Sequence, residues 1–224
     1  MNKLIGISGR KRSGKDSVCD ILSSDHGYTK ISFTQNLREM CSETFSIGMN
    51  HFIADELKEL TFLAPIEITQ SHVNSIERWL FKHKQLFGVE HFYDLSLKTR
   101  DLRKLVGTTL KSPRHILQFV GTDMIRNYVL ASYHADVVFD AIANHPGKKY
   151  CISDCRFPNE RKMVKNNGGI TILIWSDNDD LSCPHASEIG VGTSADYDYS
   201  FKNSKEGLDK LSVDFLEFYE RIQR

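Results

Sequence analysis

Residues 9–17 read GRKRSGKDS, the spacing G-x-x-x-x-G-K with an acid where a hydroxyl ordinarily follows. No other stretch restricts the fold of this chain as strongly. Before it, Lys3-Leu4-Ile5-Gly6-Ile7-Ser8 is apolar, β-prone and short, the composition of a strand buried on both faces. After it, Val18, Ile21 and Leu22 form the apolar stripe of a helix. A strand, a glycine-rich turn and a helix start bring backbone N–H groups together at one point, and that point attracts phosphate. Arg10, Lys11 and Arg12 add positive charge to the turn. The plainer alternative is an ordinary basic strand-to-helix turn.

The remainder alternates in the same manner. Strands are expected at 28–33 (YTKISF), 149–154 (KYCISD), 169–175 (GITILIW) and, briefly, 198–201. A helix follows the second strand through Leu37, Met40, Cys41 and Phe45, and another opens at Pro113 and carries Ile116, Leu117, Phe119, Val120 and Ile125. Further helices are expected over 135–144 and 157–166, and a closing helix shows Leu208, Leu211, Phe215, Leu216 and Phe218 on its apolar face. This pattern implies a three-layer α/β fold around a five-stranded parallel sheet, with ligands at the carboxyl ends of the strands. Residues from about 48 to 112 are less regular and rich in aromatics. They are expected to be a mostly helical insertion within a single domain spanning 1–224, with an amphipathic piece near 72–83.

Composition narrows the function classes. The formal net charge is zero, so no overall basic character argues for a nucleic-acid partner. No apolar run approaches the roughly 20 residues of a membrane span, and no signal peptide opens the chain, so a cytoplasmic location is expected. Five cysteines without C-x-x-C spacing read as buried free thiols, and nine histidines without ligand spacing give no zinc pattern.

The chemistry that fits is phosphoryl transfer, which asks for a phosphate cradle, magnesium and several cations. Lys15 is placed to reach the β- and γ-phosphates of a donor. Asp154, at a strand end, is placed to hold magnesium directly or through water, or else to cap the following helix. Arg156 has the fork needed to bridge two phosphates, its alternative being a surface pair with Glu160. Asp16 would share the metal, or simply favour a helix start. Asp123 and Arg126 stand three apart, a spacing that also suits a structural pair.

Together, ISGRKRSGKDS, LQFVGTDMIR and SDCRFPNE resemble the bacteriophage deoxynucleoside monophosphate kinases, P-loop enzymes that phosphorylate dNMPs with ATP. The likeness runs from residue 4 to about 211 and includes HASE at 185–188 and DYSFKN…GLDKL. In that family the loop commonly ends G-K-D. The animal phosphomevalonate kinases share the S-G-K-D loop and a D-x-R segment, and a non-catalytic nucleotide-binding module is a third alternative. The resemblance implies magnesium and ATP, with Gly9, Lys11, Arg12, Ser13, Gly14, Lys15, Asp16 and Ser17 on the donor. His185 and Glu188 fall where such kinases place the donor base. Arg38, Gln118, Gly121, Thr122, Asp123, Arg126, Asn159 and Glu160 would frame the acceptor. It leaves a homodimer open.

Overall fold

The computed structural model describes residues 3–177, 179 and 189–224. The amino-terminal part forms β1 (Leu4–Ser8), α1 (Lys15–His26) and β2 (Tyr28–Ile31). Next come α2 (Gln35–Phe45), the single-turn helices α3 (Asn50–Ile53) and α4 (Asp55–Lys58), β3 (Ile66–Glu67) and α5 (Gln70–Phe81). They are followed by α6 (Phe92–Lys98), β4 (Thr109–Leu110) and α7 (Pro113–Gln118), which continues as a π-helix over Phe119–Arg126. The rest comprises α8 (Tyr133–Ala143), β5 (Lys149–Ile152), α9 (Pro158–Asn166), β6 (Ile170–Trp175), β7 (Tyr199–Lys202) and α10 (Leu208–Gln223). Two compact units result, one from residues up to Phe33 together with Val138–Arg224, the other from Thr34–Val137.

The first unit holds the expected sheet, parallel throughout, in the order β2-β5-β1-β6-β7. Every residue of β1 is buried, because strands flank it and helices cover both faces. Ile5 and Ile7 point to the side where Val18, Cys19 and Leu22 of α1 meet Leu211, Phe215 and Tyr219 of α10. Gly6 points the other way, where a Cβ would come within 3.1 Å of both Cys155 Sγ and Val164 Cγ2 of α9. Alternation along one strand thus creates both outer layers. Cys19, Cys41, Cys151 and Cys155 are buried free thiols, and burial pushes those of Cys19, Cys41 and Cys155 up.

The second unit has its own core, in which Leu37, Met40, Val73, Ile76, Leu80, Ile116 and Val120 are all nearly or wholly buried. It is wider than the 48–112 insertion expected from sequence. The reason is that α2, α7 and the π-helix bury their apolar faces in this same core. The antiparallel pair β3–β4, two residues long on each side, was too short to show as periodicity.

Candidate active site

The turn after β1 is tight enough to exclude side chains. A Cβ on Gly9 would lie 2.3 Å from Ser13 Oγ and 2.6 Å from the Ile174 carbonyl oxygen. Gly14, at φ 100°, starts α1 from the left-handed region, and a Cβ there would meet Asn203 Nδ2 at 2.5 Å. The loop is held from the far edge of the sheet. Asn203, just past β7 and buried, donates from Nδ2 to the Ser13 carbonyl at 2.8 Å, and Lys205 Nζ donates to the Arg12 carbonyl. Ser13 is fully buried, and its Oγ has no hydrogen-bond partner among the described residues. A buried hydroxyl with nothing to bond is costly unless something else supplies the partner. In a turn of converging N–H groups, a phosphate oxygen is a suitable one.

Lys15 opens α1 and is 9% exposed, with Nζ 3.1 Å from Asp16 Oδ2. Asp16 itself points outward, and its second oxygen lies 3.8 Å from Lys30 Nζ. Lys30 also bonds Asp20 Oδ1 at 2.8 Å. Burial alone would lower the Lys30 pKa, but the Asp20 hydrogen bond and the two carboxylates outweigh it and raise it. Lys15 therefore rests in an alternating row of charges beside the first turn and a half of α1.

Asp154 lies two residues past β5. Its Oδ2 accepts from Ser32 Oγ at 2.7 Å and its Oδ1 from the Phe33 N–H at 2.8 Å. The carboxylate is pinned to the end of β2, and the first turn of the following helix is capped from within that helix. That task falls to Glu160, buried at 2%, whose Oε2 accepts from the backbone N–H of Arg156 and Phe157 at 2.8 and 2.9 Å. Glu160 was expected on the acceptor; in the structure this oxygen starts α9 and shapes the turn carrying Arg156, itself half-buried. Asn159, in the first turn of α9, is half-buried.

Arg161 backs this turn. It is 6% exposed, and Nη1 donates to the Arg156 carbonyl at 2.7 Å, the Gly190 carbonyl at 2.9 Å and Tyr197 Oη at 3.1 Å. The Tyr197 hydroxyl is 2.7 Å from Ser8 Oγ, the last residue before the loop, and donates to the Val191 carbonyl at 2.5 Å. Burial raises the Tyr197 pKa, opposed by the Ser8 contact and the Arg161 charge.

In the second unit, Gly121 is a packing glycine. A Cβ there would lie 2.6 Å from Leu37 Cδ2, so its absence lets α2 lie directly on the π-helix. This brings Arg38, next to Leu37, to the same region as Thr122. Arg38 Nε is buried without an acceptor among the described residues. Burial lowers the Lys58 pKa; an Asp55 hydrogen bond opposes this, and Arg114 and Arg38 nearby lower it further. Arg114 donates to Glu59 Oε1 at 2.7 Å. Gln118 and Thr122 are half-buried, while Asp123 is exposed. Arg126 Nη1 donates to the Ala131 carbonyl at 2.9 Å. A π-helix has more residues per turn than an α-helix, so the three-residue spacing no longer stacks two side chains.

A family model described as deoxynucleotide monophosphate kinase matches residues 3–212. The chain belongs to that family. A protein of Acanthamoeba polyphaga mimivirus, provisionally described as a deoxynucleotide monophosphate kinase, is 26% identical over 230 residues, covering 98% of this chain and 93% of the relative. The deoxynucleoside-5'-monophosphate kinase of Escherichia phage T5 is 23% identical over 248 residues, with 97% and 96% covered. Among solved structures, dephospho-CoA kinase from Campylobacter jejuni aligns over 100% of both chains at 14% identity and a TM-score of 0.44.

Family membership selects the deoxynucleotide kinases over the phosphomevalonate type that the same loop suggested. In the chain, Gly9, Lys11, Arg12, Ser13, Gly14, Lys15, Asp16 and Ser17 form one loop and helix start, and Asp154 and Arg156 belong to the same unit. Arg38, Gln118, Gly121, Thr122, Asp123 and Arg126 gather in the other unit. His185 and Glu188 lie outside the described residues. Sequence reasoning missed Asn203, Arg161, Tyr197, Lys58 and Arg114. Asn203 could have been found from its place at a strand's carboxyl end beside a lysine; the others carry no spacing signal. No helix is long and apolar enough to cross a membrane among the described residues.

Proposed function

We propose that the chain transfers the γ-phosphoryl group of ATP to a deoxynucleoside 5'-monophosphate, giving the diphosphate and ADP. The observation that carries this reading is the Gly9–Lys15 turn, with its closed backbone, near-buried lysine and buried partnerless Ser13 hydroxyl. In this reading Lys15 leaves Asp16 for the β- and γ-phosphates, Ser13 Oγ donates to a phosphate oxygen, and Arg156 spreads its fork over the migrating group. On the acceptor side Arg38 supplies its buried Nε–H, with Lys58 and Arg114 adding positive charge. The acceptor is already an ionised phosphate, so positioning and charge neutralisation carry the rate without a general base.

Magnesium fits the acids present. Among the described residues no group of three or more His, Cys, Asp or Glu side chains could hold a metal. Magnesium does not ask for one, since it commonly takes one or two carboxylates plus substrate phosphates and keeps several waters. Asp154, oriented by Ser32 and Phe33, is a carboxylate held at the carboxyl end of the sheet, and Asp16 stands exposed at the loop. Bound there, the ion would neutralise charge on the transferred phosphoryl group.

The test is ADP release with ATP against a panel of dNMPs, NMPs and phosphomevalonate, with Lys15→Met alongside. Turnover on dNMPs that falls at least about a hundredfold in Lys15→Met, with the melting curve preserved, is expected. ATP binding without turnover on any acceptor would turn the chain into a nucleotide-binding module.

A further inference from the structure

Two routes lead from the phosphate loop to one exposed aromatic ring. The Ile174 carbonyl stands against Gly9, and the next residue, Trp175, ends β6. The Trp175 carbonyl accepts the Asn203 N–H at 2.8 Å, while Asn203 Nδ2 holds the Ser13 carbonyl at 2.8 Å. Trp175 is therefore one residue from the loop along the strand and one hydrogen-bonded residue from it across the sheet.

The two tryptophans of the chain are treated differently. Trp79 is 9% exposed in the second unit's core, and its Nε1 donates to Asn36 Oδ1 at 3.0 Å. Trp175 is 36% exposed. It lies at the carboxyl end of a parallel sheet, the end where ligands bind. Its register partner on β7 is Lys202, whose Nζ lies 5.3 Å from the ring centre and is anchored by Asp177 at 2.8 Å. A cation so placed steadies the indole, about a third of whose residue surface stays open to solvent.

We infer that Trp175 is the stacking platform for the heterocyclic base of the donor nucleotide, with Lys202 and Asp177 fixing the orientation of its ring. The inference rests on the donor role proposed for the Gly9–Lys15 loop. That loop binds only phosphates, so something outside it must contact the base, and an indole face beside it offers stacking to any base.

Calorimetric titration separates base from phosphate. ATP and inorganic tripolyphosphate, each with magnesium, are titrated into the wild type, Trp175→Phe and Trp175→Ala. Trp175→Ala should weaken ATP about tenfold or more and leave tripolyphosphate within about twofold, while Trp175→Phe keeps most of the difference. A Trp175→Ala protein with an unchanged ratio of the two affinities overturns the inference, including when both ligands weaken together. Melting without ligand shows whether the variant is folded; should Trp175→Ala fail to fold, the wild-type and Trp175→Phe ratios decide, and a wild type that binds tripolyphosphate as well as ATP overturns it. Failure of the functional reading looks different. A ratio governed by Trp175 in a protein that phosphorylates no dNMP keeps the platform and removes the acceptor. Normal turnover with an unchanged ATP KM in Trp175→Ala does the reverse.

Discussion

Asp16 shows how one side chain answers to two needs. A carboxylate in the first turn of α1 faces the positive end of the helix dipole, worth about 0.3–1 kcal/mol, and it also carries ion pairs to Lys15 and Lys30. If it additionally holds magnesium, Asp16→Ser should raise the metal concentration for half-maximal rate and lower kcat, as read from rate against magnesium at saturating ATP. An unchanged magnesium curve with only slightly earlier melting would leave Asp16 a helix-end residue. At this scale the sequence was informative where a residue type is dictated by space. Gly9 and Gly14 are legible because nothing larger fits. Glu160 and Gly121 were legible as letters of the SDCRFPNE and LQFVGTDMIR segments but not as to role. One caps α9 and the other admits Leu37, and such contacts depend on elements distant in the chain.

The elements bearing the site are tied by buried polar bonds that strand and helix patterns cannot reveal. Tyr197 joins the end of β1 to Arg161 on α9 and to the chain before β7. Tyr197→Phe leaves the Val191 carbonyl without its phenol donor, a loss of about 1–3 kcal/mol. It should lower Tm by about 3–8 °C and reduce kcat more than KM, since Arg161 also holds the Arg156 carbonyl. Steady-state kinetics beside scanning calorimetry will show whether the network serves only the fold. A second tie joins β6 to β7: Asp198 Oδ2 accepts from the Thr171 N–H and Oγ1, both at 2.8 Å, and Oδ1 pairs with Lys165 at 2.9 Å. Burial would raise the Asp198 pKa, but Lys165 and Thr171 outweigh it and hold it below 3.8. A carboxyl depressed in the folded state adds stability above its unfolded pKa, and this is lost as pH falls through the folded value. Asp198→Asn should therefore melt about 3–6 °C lower at neutral pH, and the gap should close below about pH 4 in a pH series of melting curves. The strands and long helices were legible from apolar spacing. The π-helix over Phe119–Arg126 was not, because its apolar residues are compatible with α-helical periodicity and only the i→i+5 bonding distinguishes it.

For the whole molecule, the Gly9–Lys15 loop belongs to one unit and Arg38 to the other. Deoxynucleotides are expected to be better acceptors than the matching ribonucleotides, an expectation resting on family membership, since no described contact reads the sugar. Competition between dCMP and CMP, and between dGMP and GMP, at equal concentration measures it; equal kcat/KM would broaden the chain to a general nucleotide kinase. The expected five-stranded sheet is present in full, whereas the reach of the second unit was hidden because α2, α7 and the π-helix look like ordinary members of an alternating fold.

The central strand of that sheet has an unusual history in time. During synthesis β1, α1 and β2 appear first, yet both neighbours of β1 are made only after residue 148. Loop closure over such a separation is slow and its gain comes late. The Thr34–Val137 unit, by contrast, is one continuous stretch with its own core and can collapse as it emerges. The sheet-bearing unit therefore waits, its apolar first strand unpaired, while a middle that can fold on its own core is already made. Nascent protein is most exposed to aggregation in that interval, and slower translation before residue 149 would lengthen it.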